Sequence, residues 1–414
     1  MTSSARVFAL LPPALSSFVL LALLVLPLGR LEAADKATTV PPIDASAHGG
    51  TAPDSGAALL VPPAPQIAGR SWLLLDVASN QILASGNPEA RVEPASLTKL
   101  MTAYLSFQAL RQKSIALTDI IPVSQHAWKA EGSRMFIEMD RPVTVDELLH
   151  GMIIQSGNDA SIALAERIGG SEEQFATLMN KQAAALGMTA THYANATGLP
   201  DPNHYSTAHD LARIARAIQH DFPEFYPIYS QKQYRYNSIS QPNRNRLLFT
   251  DPSVDGMKTG HTDSAGFCLV ASAKRNDRRL IAVVVGANSE ATRATESEKL
   301  LNFGFQFFDT QKLYVAGSVL RRLPVFKAHS DLIEAGFRQD LWLTLPKGDF
   351  GRYKENFRPK SPLIAPIAAG QSLGTLDIVV DNKTVASVDV ESIASVPTGN
   401  FLQRAWGALR LLVH

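Results

Sequence analysis

Two apolar runs, residues 267–273 and 280–285, are separated by the polar stretch Arg275-Asn276-Asp277-Arg278. Short apolar segments broken by an Asn/Asp turn read as neighbouring antiparallel strands, so this region predicts a meander. A third strand-like run, Ser71-Trp72-Leu73-Leu74-Leu75-Asp76, lies far upstream and returns through Val77-Ala78-Ser79-Asn80 to residues 81–84. Between the two strand groups, from Leu105 to about Gly198, apolar residues recur mostly at helical spacing. Strand, helices and strands again describe one sheet closed around a helical insertion. The fold class expected is therefore α/β, with an antiparallel sheet and a helical subdomain.

Within the insertion, a polar stretch covers residues 128–134, and the helix at 145–152 runs directly into Gln155-Ser156-Gly157-Asn158. Ser206-Thr207-Ala208-His209-Asp210 caps a further amphipathic run, residues 211–218. After Phe222 the pattern turns β-like, with a strand at 254–262 before the meander, and a final helix from Thr292 to Phe308. Residues 313–396 form short strands at 341–346, 374–380 and 383–388, the last two joined by a tight turn at Asp381-Asn382. This predicts a separate small all-β domain.

The ends read differently. Arg6, the apolar run at 18–26 and Leu31-Glu32-Ala33-Ala34 have the layout of an export signal over residues 1–34. Prolines and serines interrupt the stretch, leaving it short of the ~20 residues that a membrane span needs. Residues 35–69 are rich in Pro, Ala, Gly and Ser and are expected to be a linker. The folded region is therefore placed at 70–309, followed by 313–396. Residues 400–414 form an amphipathic helix: Phe401, Leu402, Ala405, Trp406, Leu409, Leu412 and Val413 share an arc, with Gln403, Arg404, Arg410 and His414 opposite. Such a helix either docks on the β domain or lies in a membrane surface, and its flanking cations and aromatic residue favour the membrane.

A formal net charge of +1 gives no case for a nucleic-acid partner, and the single cysteine, Cys268, excludes an intramolecular disulfide framework. Cys268 sits in a strand-like run and is expected to be a buried hydrophobe. The ten histidines fall into no metal-ligand spacing and read mostly as surface or turn residues; no metal or cofactor is required. No G-x-S-x-G elbow accompanies them.

The chemistry gathers at Glu93-Pro94-Ala95-Ser96-Leu97-Thr98-Lys99. Pro94 suits a first helical turn, and residues three apart share a face, so the Ser96 hydroxyl and Lys99 amine can meet. A lysine can take a hydroxyl proton only when neutral, which at pH 7 costs about 4.6 kcal/mol for an unperturbed amine. Burial and a second positive charge would reduce that cost.

Three motifs then stand in order: Ser96-x-x-Lys99, Ser156-Gly157-Asn158 and Lys258-Thr259-Gly260. They lie at a helix start, in a loop between helices, and on a strand. With the longer runs around them, they resemble the low-molecular-weight penicillin-binding proteins, the serine-type D-alanyl-D-alanine carboxypeptidases, strongly from Ser71 to Asp309 and more weakly beyond. The resemblance implies a penicillin-binding-protein/β-lactamase-like fold. It implies removal of the terminal D-alanine from peptidoglycan pentapeptides, and acylation by β-lactams. It makes Ser96 the nucleophile, Lys99 its base and Ser156 a proton relay to the leaving amine. Asn158 would hold the substrate amide and Lys99. Lys258 would supply the second charge and, with Thr259, receive the substrate carboxylate. Gly260 would admit the substrate backbone, and the N–H groups of Ser96 and His261 would form the oxyanion hole. Arg293 is either a further carboxylate contact or a solvated charge. The family uses the terminal helix as a membrane-surface anchor, which implies an exported protein at the periplasmic face of the bacterial cytoplasmic membrane.

Gly157 departs from the commoner Asp, a variant that the carboxypeptidase branch accepts. No β-lactamase-like glutamate segment occurs between Asn158 and Lys258; Glu166 and Glu172-Glu173 fall in a helix and its entry. Fast hydrolysis of an acylated β-lactam is thus not expected, and Lys99 and Ser156 are the candidate deacylation bases. A DD-endopeptidase, a weak β-lactamase and a non-catalytic wall-binding scaffold are the alternative readings.

Overall fold

The structure, a computed structural model, describes residues 62–412. The expected export signal, most of the linker, Val413 and His414 lie outside the described residues. The end of the expected linker joins the fold: Ile67 packs against an apolar core, and the next segment begins with Arg70 N–H donating to Val285 O.

The main sheet has five antiparallel strands in the order Ile82–Gly86, Ser71–Asp76, Arg278–Ala287, Gly266–Arg275, Val254–Thr262. The distant first strand thus pairs directly with the meander, Leu73 opposite Val283. Alternate side chains of a strand face opposite ways. Leu73 and Leu75 accordingly enter a core shared with Leu97, Leu100 and Met101 of the helical insertion. Leu74 enters the other core, with Val284, Leu300 and Leu301 beneath the helix Glu290–Phe307. Burial on both faces explains why the central runs are apolar without alternation. Cys268 is fully buried there.

The insertion contributes the helices Lys99–Arg111, Val145–Ile154, Asn158–Gly169, Glu172–Ala185 and Ala208–Asp221. The region after Phe222 is less uniformly β than expected. It holds a 3-10 turn, Tyr226–Ser230, a hairpin, Gln233–Tyr236 with Ile239–Pro242, and one helical turn, Leu247–Thr250.

The C-terminal β region is an antiparallel sheet ordered Val319–Pro324, Leu332–Gly336, Lys383–Ser392, Ser372–Val380, Lys354–Pro359. A separate pair joins Phe308–Tyr314 to Leu341–Pro346. Asp381 and Asn382 both have positive φ, as the primed two-residue hairpin turn requires. Strands such as Val319–Pro324 and Lys354–Pro359 escaped sequence reading because they are charged, largely exposed edges without an apolar alternation.

The helix Phe401–Leu411 is capped by Asn400 and Gln403. It meets the β region through its polar edge: Arg410 pairs with Asp331 at 2.9 Å, and Gly407 lies against the Lys327 backbone. Phe401, Leu402, Trp406, Leu409 and Leu412 are exposed. Among the described residues no helix is long and apolar enough to cross a membrane.

Candidate active site

Ser96 sits in a 3-10 turn, Ala95–Thr98, that starts after Pro94 and runs into the helix headed by Lys99. Residues i and i+3 eclipse one another in 3-10 geometry, which brings Ser96 and Lys99 together more directly than an α-helix would. Lys99 Nζ lies 2.9 Å from Ser96 Oγ, 2.7 Å from Asn158 Oδ1 and 2.6 Å from Thr197 O. The last two are carbonyl oxygens and can only accept. They occupy both N–H bonds of a neutral amine, whose lone pair is then left facing the Ser96 hydroxyl. The turn is anchored by fully buried Leu97, whose truncation to Ala costs about 2–5 kcal/mol.

The second wall is the break between the helices Val145–Ile154 and Asn158–Gly169. Ser156 takes a left-handed φ of 63° there, which turns the chain between the helices. Asn158 is fixed on both sides: its Nδ2 donates to Glu131 O at 2.6 Å, leaving Oδ1 for Lys99. Gly157 is needed for space, because a Cβ there would stand 2.8 Å from Asp159 Oδ1. That carboxylate accepts from the N–H groups of Met135, Phe136 and Ile137 and pins the segment beside the cleft.

The strand Val254–Thr262 forms the third wall. Lys258 Nζ donates to Ser156 Oγ and Thr259 O, both at 2.9 Å. A Cβ on Gly260 would lie 3.2 Å from Ser96 N, so this glycine seats the strand against the nucleophile's turn. That contact adds to the expected reason for a glycine, which was the approach of a substrate. The His261 ring packs on Phe267 with centroids 4.1 Å apart. Ser96, Ser156, Asn158, Thr259 and His261 all line one cleft of about 440 Å³.

Burial, and next the Arg244 charge, hold the Lys99 amine down at about 7, against opposing pulls from Asp159 and Glu172. Lys258 is pushed well below the ordinary lysine range by burial, then by Lys99, Arg244 and Arg293. Arg244 is therefore a positive charge acting on Lys99 in addition to Lys258, which the sequence suggested and whose repulsion with Lys99 is mutual. Arg244 lies in the cleft wall between buried Asn243 and Asn245 and carried no motif to reveal it.

Arg293 is not a solvated charge. It is 5% exposed, bonded to Gly260 O and Glu290, and lines the cleft. His204 is an exception among the histidines: it is buried, and desolvation lowers it to about 4. Its Nδ1 accepts from Ala194 N–H, so Nε2 carries the proton and donates to Thr98 Oγ1 at 2.8 Å. Glu166 bonds Ser124 and Glu172 bonds His126 and Ala196 N–H; neither carboxylate lines the cleft.

A family model for D-alanyl-D-alanine carboxypeptidase matches residues 59–289, and one for the C-terminal domain of penicillin-binding protein 5 matches 308–398. The chain is 40% identical over 371 residues to the D-alanyl-D-alanine carboxypeptidase DacC of Escherichia coli, covering 88% of this chain and 93% of that one. Penicillin-binding protein 5 from Haemophilus influenzae superposes with a TM-score of 0.77 at 40% identity, covering 80% of this chain and 98% of that one. Penicillin-binding protein D2 from Listeria monocytogenes in its ampicillin-bound form gives 0.55 at 28% identity, covering 59% of this chain and 100% of that one.

Proposed function

The chain belongs to the D-alanyl-D-alanine carboxypeptidase family, and from that premise we propose that it removes the terminal D-alanine of peptidoglycan pentapeptides through an acyl-enzyme on Ser96. The observation that carries this reading is the Lys99 amine, buried, poised near neutrality and 2.9 Å from Ser96 Oγ.

Neutral Lys99 takes the Ser96 proton as Oγ attacks the carbonyl carbon of the penultimate residue. The N–H groups of Ser96 and His261 receive the oxyanion, each such donor contributing about 3–4 kcal/mol to the transition state. Asn158 holds the substrate amide. Lys258, Thr259 and Arg293 receive the C-terminal carboxylate, which restricts the leaving group to a terminal residue. Ser156, bonded to Lys258, passes a proton to the departing amine, and D-alanine leaves. Water then attacks the ester with Lys99 and Ser156 as the bases within reach. β-Lactams acylate Ser96 as substrate mimics, and because Glu166 and Glu172 do not face the cleft, the adduct persists.

The exposed apolar arc of the terminal helix supports anchoring at a membrane surface, on the periplasmic face of the cytoplasmic membrane of an exported protein. The division into residues 70–309, 313–396 and 400–414 belongs to the same proposal.

Intact-protein mass spectrometry after penicillin exposure tests the reading. One adduct is expected at Ser96 and none on Ser96→Ala; an adduct on the variant, or none on the wild type, defeats it.

A further inference from the structure

Glu172 opens the helix Glu172–Ala185, where a first-turn acid ordinarily serves its own helix. Its neighbour Glu173 fills that local role, through its own backbone N–H and Ser171. The Glu172 carboxylate, 13% exposed, reaches elsewhere. One oxygen accepts from Ala196 N–H at 2.9 Å and the other meets His126 Nε2 at 2.7 Å. Ala196 O in turn accepts from Thr102 Oγ1 at 2.7 Å, so side chains grip that residue at both ends. The next carbonyl, Thr197 O, is the acceptor 2.6 Å from Lys99 Nζ. A continuous series of contacts therefore runs from His126 at the surface through Glu172 and the Ala196-Thr197 backbone to the catalytic amine.

We propose that Glu172 is a positioning residue for Lys99: it fixes the backbone that receives the Lys99 amine and sets a negative charge behind it, and His126 modulates that charge. This rests on the reading of Lys99 as the base for Ser96. The groups facing Lys99 are Arg244 and Lys258, which favour the neutral amine, and Asp159 and Glu172, which favour the cation. Those facing His126 are Glu172, Glu166 and Glu173, and the hydrogen bond to Glu172 holds the imidazole above its ordinary value. Glu172 thus opposes Arg244, and a protonated His126 partly cancels Glu172.

The test is the rate of covalent labelling by a fluorescent penicillin, measured on the full chain across the range in which Lys99 titrates. Glu172→Gln keeps an acceptor for Ala196 N–H, removes the charge and turns an amide NH2 toward His126, so the acidic limb moves to lower pH by roughly half a pH unit. His126→Gln removes the cancelling cation and moves the limb upward. If the Glu172→Gln limb coincides with the wild type, whatever happens to the maximal rate, Glu172 is structural only and the proposal is overturned. The same result follows if both variants move the limb in one direction. A wild type that never labels would instead sink the underlying assignment of Ser96 and Lys99.

Discussion

The Lys258 amine and the Ser156 hydroxyl meet at 2.9 Å, both nearly inaccessible to solvent. The backbone of Ser156 holds φ at 63°, a region that a non-glycine residue occupies only when its surroundings impose it. Here the following residue supplies a restraint, with Gly157 N–H donating to Gly151 O at 3.1 Å. The turn places the hydroxyl against a buried amine that donates to it, an arrangement suited to passing a proton.

Ser156→Ala removes that relay and leaves Lys258 without its hydroxyl partner. Acylation by penicillin and D-alanine release should both slow, by about 10²–10⁴-fold if the hydroxyl acts as a general acid. Stopped-flow labelling measures this directly. Slowing under threefold would show that the leaving amine takes its proton by another route.

Lys99 sets the pH dependence. It is held at about 7 in the folded protein against an ordinary 10.5. The active form is the neutral amine, so acylation falls as pH drops through 7. Stability follows the same proton with its own sign. Between 7 and 10.5 the unfolded chain binds a proton at Lys99 that the folded chain does not, so unfolding becomes harder as pH rises through that window. The slope from this group is at most about 1.4 kcal/mol per pH unit. Denaturant titrations of the wild type and Lys99→Met at two pH values within the window isolate the contribution. Equal slopes would show that Lys99 keeps its proton in the folded state.

Arg244 is a cation that acts on both Lys99 and Lys258. Arg244→Gln should raise the proton affinity of both lysines and move the acidic limb of acylation to higher pH. The limb position distinguishes this from loss of a substrate contact, which would raise KM and leave the limb in place.

Much of the fold was legible because buried strands and helix faces print apolar periodicity on the sequence. Leu73, Leu74 and Leu75 announced a strand buried on both sides, and residues 267–285 announced its partners. Ser96, Lys99, Ser156, Asn158 and Lys258 could be picked out as candidates because they stand in three short motifs whose order resembles a known family. Arg244, Thr197 and His204 could not. Arg244 comes from a loop remote from all three motifs, and Thr197 contributes only a carbonyl, which every residue possesses. His204 could have been any turn histidine until the fold carried it beneath Thr98. The charge balance at Lys99 is likewise tertiary: its charged determinants come from four separate stretches of chain, at Arg244, Lys258, Asp159 and Glu172, and burial adds to them.

The terminal helix allows a prediction from its inverted docking. Gln403, Gly407 and Arg410 face the β region, while Leu402, at 75% exposure, and Trp406, at 61%, face outward. A helix folded for burial within the protein would turn those side chains inward, since each large apolar group removed from water contributes about 1.5–3 kcal/mol. On the anchoring proposed above, that energy would go to a lipid surface, and the exposed Arg404 would meet anionic headgroups. Leu402→Glu should therefore lower partitioning onto anionic lipid vesicles at least about tenfold, and Leu402→Glu with Trp406→Glu should abolish it. Penicillin acylation of Ser96 should proceed at the wild-type rate in both variants, because the helix touches no residue of the cleft. Co-sedimentation with vesicles reads the first effect and fluorescent labelling the second. Undiminished co-sedimentation of the double variant would show that some other surface carries the protein to the membrane.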